Sequence, residues 1–110
     1  MKRDAIAIKT DDNVATAIHD LKAGRTALVG IGEETVRIVL NEDIAYGHKL
    51  ALLEIEAGGD ILKYGAVIGK ASRRIEKGTH VHVHNVESLR GRGDLPPKQA
   101  GEDQFPEGNL

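Results

Sequence analysis

Cysteine and tryptophan are absent from this 110-residue chain, and its aromatic side chains are Tyr46, Tyr64 and Phe105. Without cysteine there is neither a disulfide framework nor a thiolate metal site, and without an apolar h-region at the N-terminus the expected compartment is the cytoplasm. So few rings leave Val, Ile, Leu and Ala to build the core, and they remove the stacking platforms that bind bases or sugars. An excess of one charge is lacking too. Lys and Arg number 15 against 17 Asp and Glu, a net charge of −2, so no bulk field draws in nucleic acid or anionic lipid. No apolar run approaches the roughly 20 residues of a membrane-spanning helix. Neither nucleic acid nor membrane is an expected partner.

What is present divides in two. Residues 1–89 alternate short apolar runs with glycines, whereas residues 90–110 hold all three prolines, four glycines and scattered apolar side chains. A domain over 1–89 and a flexible polar tail over 90–110 are expected. A chain of this size buries roughly two thirds of its unfolded surface and folds without staples. Arg92-Gly93-Asp94 in the tail is short enough to arise by chance and is given no adhesive role.

The body reads as mainly β. Residues 5–9, 26–30, 35–40, 48–52, 60–63, 67–72 and 79–85 have strand composition, and Ile31 to Glu34 looks like a tight hairpin connection. One helix is predicted. Asp11, Asp12 and Asn13 offer N-cap chemistry, Val14, Ala17, Ile18 and Leu21 fall at i, i+3, i+4 and i+7, and Gly24 stands at the C′ position. An echo starts at Leu21, Ile55 and Ile75: apolar, two mostly polar residues, glycine, two residues, apolar. It describes a recurring corner whose glycine takes positive φ, and its unequal spacings of 34 and 20 residues exclude a solenoid repeat.

The richest stretch is Gly78-Thr79-His80-Val81-His82-Val83-His84-Asn85. On a strand, His80, His82 and His84 share one face while Val81 and Val83 face the core. Imidazoles at i and i+2 can converge on a metal, with a third ligand from another segment, for which His48 is the natural candidate. The same pattern also fits a solvated polar face over a valine row. Lys49 can pair with a substrate carboxylate, but strand neighbours face opposite ways, so one of His48 and Lys49 is expected to be structural. Tyr64 with Gly65 fits a turn anchor as well as a substrate contact, and His19 is given no role. Asp11 and Asp12 read as caps, and Glu33, Glu34, Glu42 and Asp43 as exposed turn carboxylates.

Four motifs in order carry a resemblance: Asp12-Asn13-Val14-Ala15, Tyr46-Gly47-His48-Lys49-Leu50-Ala51-Leu52, Tyr64-Gly65-Ala66-Val67-Ile68-Gly69 and His80-Val81-His82-Val83-His84-Asn85. Over about residues 5–89 the chain resembles the SAF-type β-clip domain of the altronate and galactarate dehydratase family. The resemblance implies a β-clip fold, mainly β with one or two short helices. It also implies a small subunit of a metal-dependent hydro-lyase for sugar acids, with a large catalytic dehydratase subunit as partner. Dehydration removes a proton α to a carboxylate and expels a β-hydroxyl, chemistry served by a divalent metal with a nearby base and acid. The implied cofactor is Fe²⁺ or Mn²⁺, held mainly in the complex. The implied site has His80, His82 and His84 as metal ligands, His48 and Lys49 as catalytic residues, and Tyr64 and Asn85 as substrate contacts.

Two alternatives stand beside this. The similar sulfolactate sulfo-lyase eliminates sulfite instead of water, and other SAF-type modules bind a carbohydrate or a protein without catalysis. In each case the isolated chain is expected to be inactive. The surface a partner would hide makes a homodimer possible when it is alone.

Overall fold

The computed structural model describes residues 2–88. The predicted tail, with Arg92-Gly93-Asp94, lies outside the described residues. Nine strands are present among those described: β1 Ala5–Ala7, β2 Val14–Ala17, β3 Thr26–Ile31, β4 Glu34–Val39, β5 Lys49–Ala51, β6 Asp60–Lys63, β7 Ala66–Ala71, β8 His80–Val81 and β9 Val86–Ser88. Six form a sheet in the order β4-β3-β1-β2-β5-β8, and three form a smaller one, β6-β7-β9. Only β1 and β3 run parallel. The predicted hairpin is the β3–β4 connection, where Ile31 pairs with Glu34 around Gly32 at φ 59°.

Short strands need another source of order, and the corners supply it. Leu21 and Ile44 exchange backbone hydrogen bonds of 2.8 and 2.9 Å, and Ile55 and Ile75 exchange two of 2.8 Å. Three residues after each stands a glycine: Gly24, Gly47, Gly58 and Gly78, with φ of 85°, 84°, 83° and 86°. Each donates its N–H to the carbonyl four residues before the partner corner, at Leu40, Ala17, Ala71 and Ala51 respectively. The chain therefore folds as two reciprocal clips. Three of these corners form the sequence echo. The fourth, Ile44–Gly47, escapes it because Ala45 and Tyr46 replace the polar pair.

The predicted helix over 14–21 is not formed. Val14–Ala17 is β2, held between β1 and β5, and Asp12 and Asn13 bond across the fold instead of capping. Two apolar clusters explain the difference. Ala15 and Ala17 join Leu21, Val29, Ile44 and Leu50, whereas Val14 joins Ala51, Ile61, Ile75 and Val81. A strand buried on both faces shows a run of apolar residues without alternation, and over so few residues it matches a helical stripe equally well. Gly24 is a corner glycine, not a helix terminator, and Ile18 is exposed. Among the described residues no helix is long and apolar enough to cross a membrane.

Candidate functional site

Two corner glycines, Gly47 and Gly78, release the chain into β5 and β8, which pair antiparallel with Lys49 opposite Val81 and Leu50 opposite His80. Residues opposite one another share a face, so His48, Leu50 and His80 lie on one side and Lys49, Ala51 and Val81 on the other. The strand predicted over 79–85 ends at Val81. His82, Val83 and His84 form a turn, and Val83 is 67 % exposed instead of facing the core. Asn85 makes the turn: its Oδ1 accepts the His82 N–H at 2.9 Å and its Nδ2 donates to the His80 carbonyl at 2.8 Å. Only 3 % exposed, Asn85 spends its amide on backbone and acts as a positioning residue for the histidines.

The turn nonetheless gathers the imidazoles. His48 Nδ1 lies 2.9 Å from His80 Nε2, so one proton bridges the pair when both are neutral. The His48 and His82 rings stack at 4.2 Å between centroids, His80 stacks on His82 at 5.4 Å, and His84 lies 5.2 Å from His80. His48, His80 and His82 each offer a ring nitrogen, all within 4.8 Å of one another. His82 Nδ1 is buried and, among the described residues, has no hydrogen-bond partner. Three grouped imidazoles, one of them with an orphaned nitrogen, fit a divalent cation in number, in chemistry and in the need for a partner. A second group, Glu42, His80 and His84, adjoins it, and Glu42 Oε1 also accepts the His80 N–H at 3.0 Å. Glu42, expected to be a plain turn carboxylate, is the site residue that sequence reasoning missed. Its contact crosses 38 positions, and nothing local announces it.

Lys49 is 2 % exposed, and desolvation, reinforced by the Lys63 charge, brings its ammonium down to about 8. Tyr64 is 57 % exposed at the β6–β7 turn, with Lys63 Nζ 4.9 Å from its ring centroid. His19 lies apart, bonded through Nε2 to Asp4 at 2.8 Å.

Burial, followed by the charges of neighbouring histidines, holds His80 and His82 below the ordinary imidazole range. The unfolded chain takes up these protons near pH 6.5 and the fold resists them, so stability falls as pH drops through that value. Urea unfolding of metal-free protein should therefore show a midpoint that falls more between pH 7 and 5 than that of the His80→Gln/His82→Gln variant. Parallel declines would remove the histidines as the cause.

The chain is similar to known proteins over most of its length. Residues 3–89 match the altronate/galactarate dehydratase SAF domain. Altronate dehydratase of Escherichia coli (strain K12) is 44 % identical over 81 residues, 74 % of this chain and 16 % of that protein. Galactarate dehydratase (L-threo-forming) of the same organism is 42 % identical over 94 residues, 84 % of this chain and again 16 % of the relative. The (2R)-sulfolactate sulfo-lyase subunit alpha of Chromohalobacter salexigens is 32 % identical over 93 residues, 82 % of this chain and 99 % of that subunit. The chain thus spans about a sixth of the dehydratases and nearly all of the sulfo-lyase subunit. It belongs to the altronate/galactarate dehydratase SAF domain family.

Proposed function

We propose that this chain is the small subunit of a metal-dependent lyase that dehydrates a sugar acid of the altronate or galactarate type, sharing its active site with a large dehydratase-type subunit. The observation that carries this reading is the grouping of His48, His80 and His82 with ring nitrogens within 4.8 Å of one another, His82 bearing a buried Nδ1 that has no hydrogen-bond partner among the described residues. His48, His80 and His82 would hold the metal, with Glu42 and His84 flanking them. When bound there, Fe²⁺ or Mn²⁺ supplies Lewis acidity for expulsion of the leaving group. Asn85 fixes the turn that aims His80 and His82, and Lys49 provides a cation beside them. His84, implied by the resemblance to be a metal ligand, lies in the adjoining group with Glu42 and His80.

A second reading keeps the site and changes the leaving group. Its support is the 99 % coverage of a sulfo-lyase subunit, a protein whose name implies a further subunit. The deciding experiment mixes this chain with a large dehydratase-type subunit and Fe²⁺ or Mn²⁺, and assays altronate, galactarate and (2R)-sulfolactate. Water elimination from a sugar acid only when both chains are present is expected. Sulfite release from sulfolactate would establish the second reading, and full activity of the large subunit alone would make this chain a binding module.

A further inference from the structure

His80 belongs to two groups of donors at once. Its Nε2 lies 2.9 Å from His48 Nδ1, in the group completed by His82. An imidazole has a second ring nitrogen, and a neutral ring offers only one of the two as an acceptor. Glu42, His80 and His84 form the other group, again with ligand atoms all within 4.8 Å of one another. The His48, His80 and His82 rings lie within 16° of parallel, whereas His84 is tilted by 36° from His80 at 5.2 Å between centroids. The tilt sets His84 apart from the stack.

The fold holds this second group in place. Asn41 pins the β4–β5 connection to the Gly78 corner: its N–H donates to the Gly78 carbonyl at 3.0 Å, and its Nδ2 to the Lys77 carbonyl at 2.9 Å and to Thr79 Oγ1 at 3.2 Å. The next residue, Glu42, is thereby kept at His80, whose backbone N–H its Oε1 accepts at 3.0 Å. His84 is fixed separately, by Arg73 Nη2 donating to its carbonyl at 3.2 Å and by the turn that Asn85 closes. Among the described residues the ion pairs are His19–Asp4, Lys70–Asp60, Arg74–Glu54 and Arg74–Glu76, and Glu42 takes part in none. A carboxylate held against two imidazoles, with no cation of its own, is a donor set that suits a divalent first-row metal with positions left open.

We propose that Glu42, His80 and His84 hold a second divalent cation, with His80 bridging it through its other ring nitrogen to the ion at His48 and His82. The bridge makes His80 an imidazolate, so the N–H proton of that ring leaves to solvent when the second ion is seated. The position stands on its own geometry. Its use rests on the lyase reading, in which two adjacent cations suit a substrate with two oxygens to neutralise, one on the acid group and one on the leaving group.

The test titrates the metal-free chain with Zn²⁺ at about pH 7.5, where ordinary imidazoles are mostly neutral. Native mass spectrometry counts the bound zinc, and calorimetry in two buffers of different ionisation enthalpy counts the protons released. Two zinc ions per chain are expected, the second with release of about one proton. Glu42→Gln and His84→Ala should each bind one. Glu42→Gln keeps an oxygen to accept the His80 N–H, so it gives the answer if His84→Ala does not fold. His82→Ala should also fall to one, by losing the other ion. A single zinc in the wild-type chain, or a second zinc that survives both Glu42→Gln and His84→Ala, would overturn the position, and a second zinc bound without proton release would overturn the bridge. A reconstituted complex without turnover, while the chain still takes two zinc ions, would count against the lyase reading alone.

Discussion

Replacing Gly78 by alanine is expected to destabilise the fold by about 3–5 kcal/mol, most of the margin of a small domain and enough to scatter the histidine cluster. Gly78 sits at φ +86°, where an L side chain costs about 1–2 kcal/mol. Its added Cβ would also collide with the backbone carbonyl of Val39. The β4–β5 connection crosses this corner closely, with Asn41 N–H donating to the Gly78 carbonyl at 3.0 Å and Asn41 Nδ2 to the Lys77 carbonyl at 2.9 Å. Moving that connection also moves Glu42 away from His80. Gly58 is the internal control. It occupies the matching corner of the same clip at φ +83°, but nothing lies within 4 Å of a Cβ built there, so Gly58→Ala should cost only the conformational strain, about 1–2 kcal/mol. Urea denaturation of both variants reads the difference. Equal losses would show that the close approach at Gly78 is relieved freely.

The contrast between these two glycines marks how much the sequence makes legible. Glycine spacing reveals three of four corners because φ > 0 needs a particular residue at a particular place. It does not reveal that Ile44–Gly47 completes a clip with Leu21, since that pairing is tertiary. The same limit produced the predicted helix. Val14 and Ala17 are apolar because β2 separates two cores and Leu21 because it forms a buried corner, and periodicity cannot distinguish this from a stripe facing one core. At the site, residue type was informative and direction was not. His48, His80 and His82 do come together, yet through a turn fixed by Asn85 and not along one strand face. The buried Lys49 was legible as a candidate, but its lack of a counter-ion among the described residues required the fold.

His82→Ala should lower turnover of the reconstituted complex by about a thousandfold, the scale of losing a positioned catalytic group. Its ring stacks on His48, and among the described residues its Nδ1 has no hydrogen-bond partner. The fold should survive, because the His82 N–H bond to Asn85 is made by the backbone. A stable complex that has lost its chemistry is therefore the expected phenotype, and metal content distinguishes a lost ligand from a displaced turn. The most direct measurement is the amount of Fe²⁺ retained after anaerobic loading and desalting of the complex, in wild type and in His82→Ala, by elemental analysis. A metal centre built on His48, His80 and His82 predicts one equivalent less per small chain in the variant. Equal iron in a folded His82→Ala complex would contradict it.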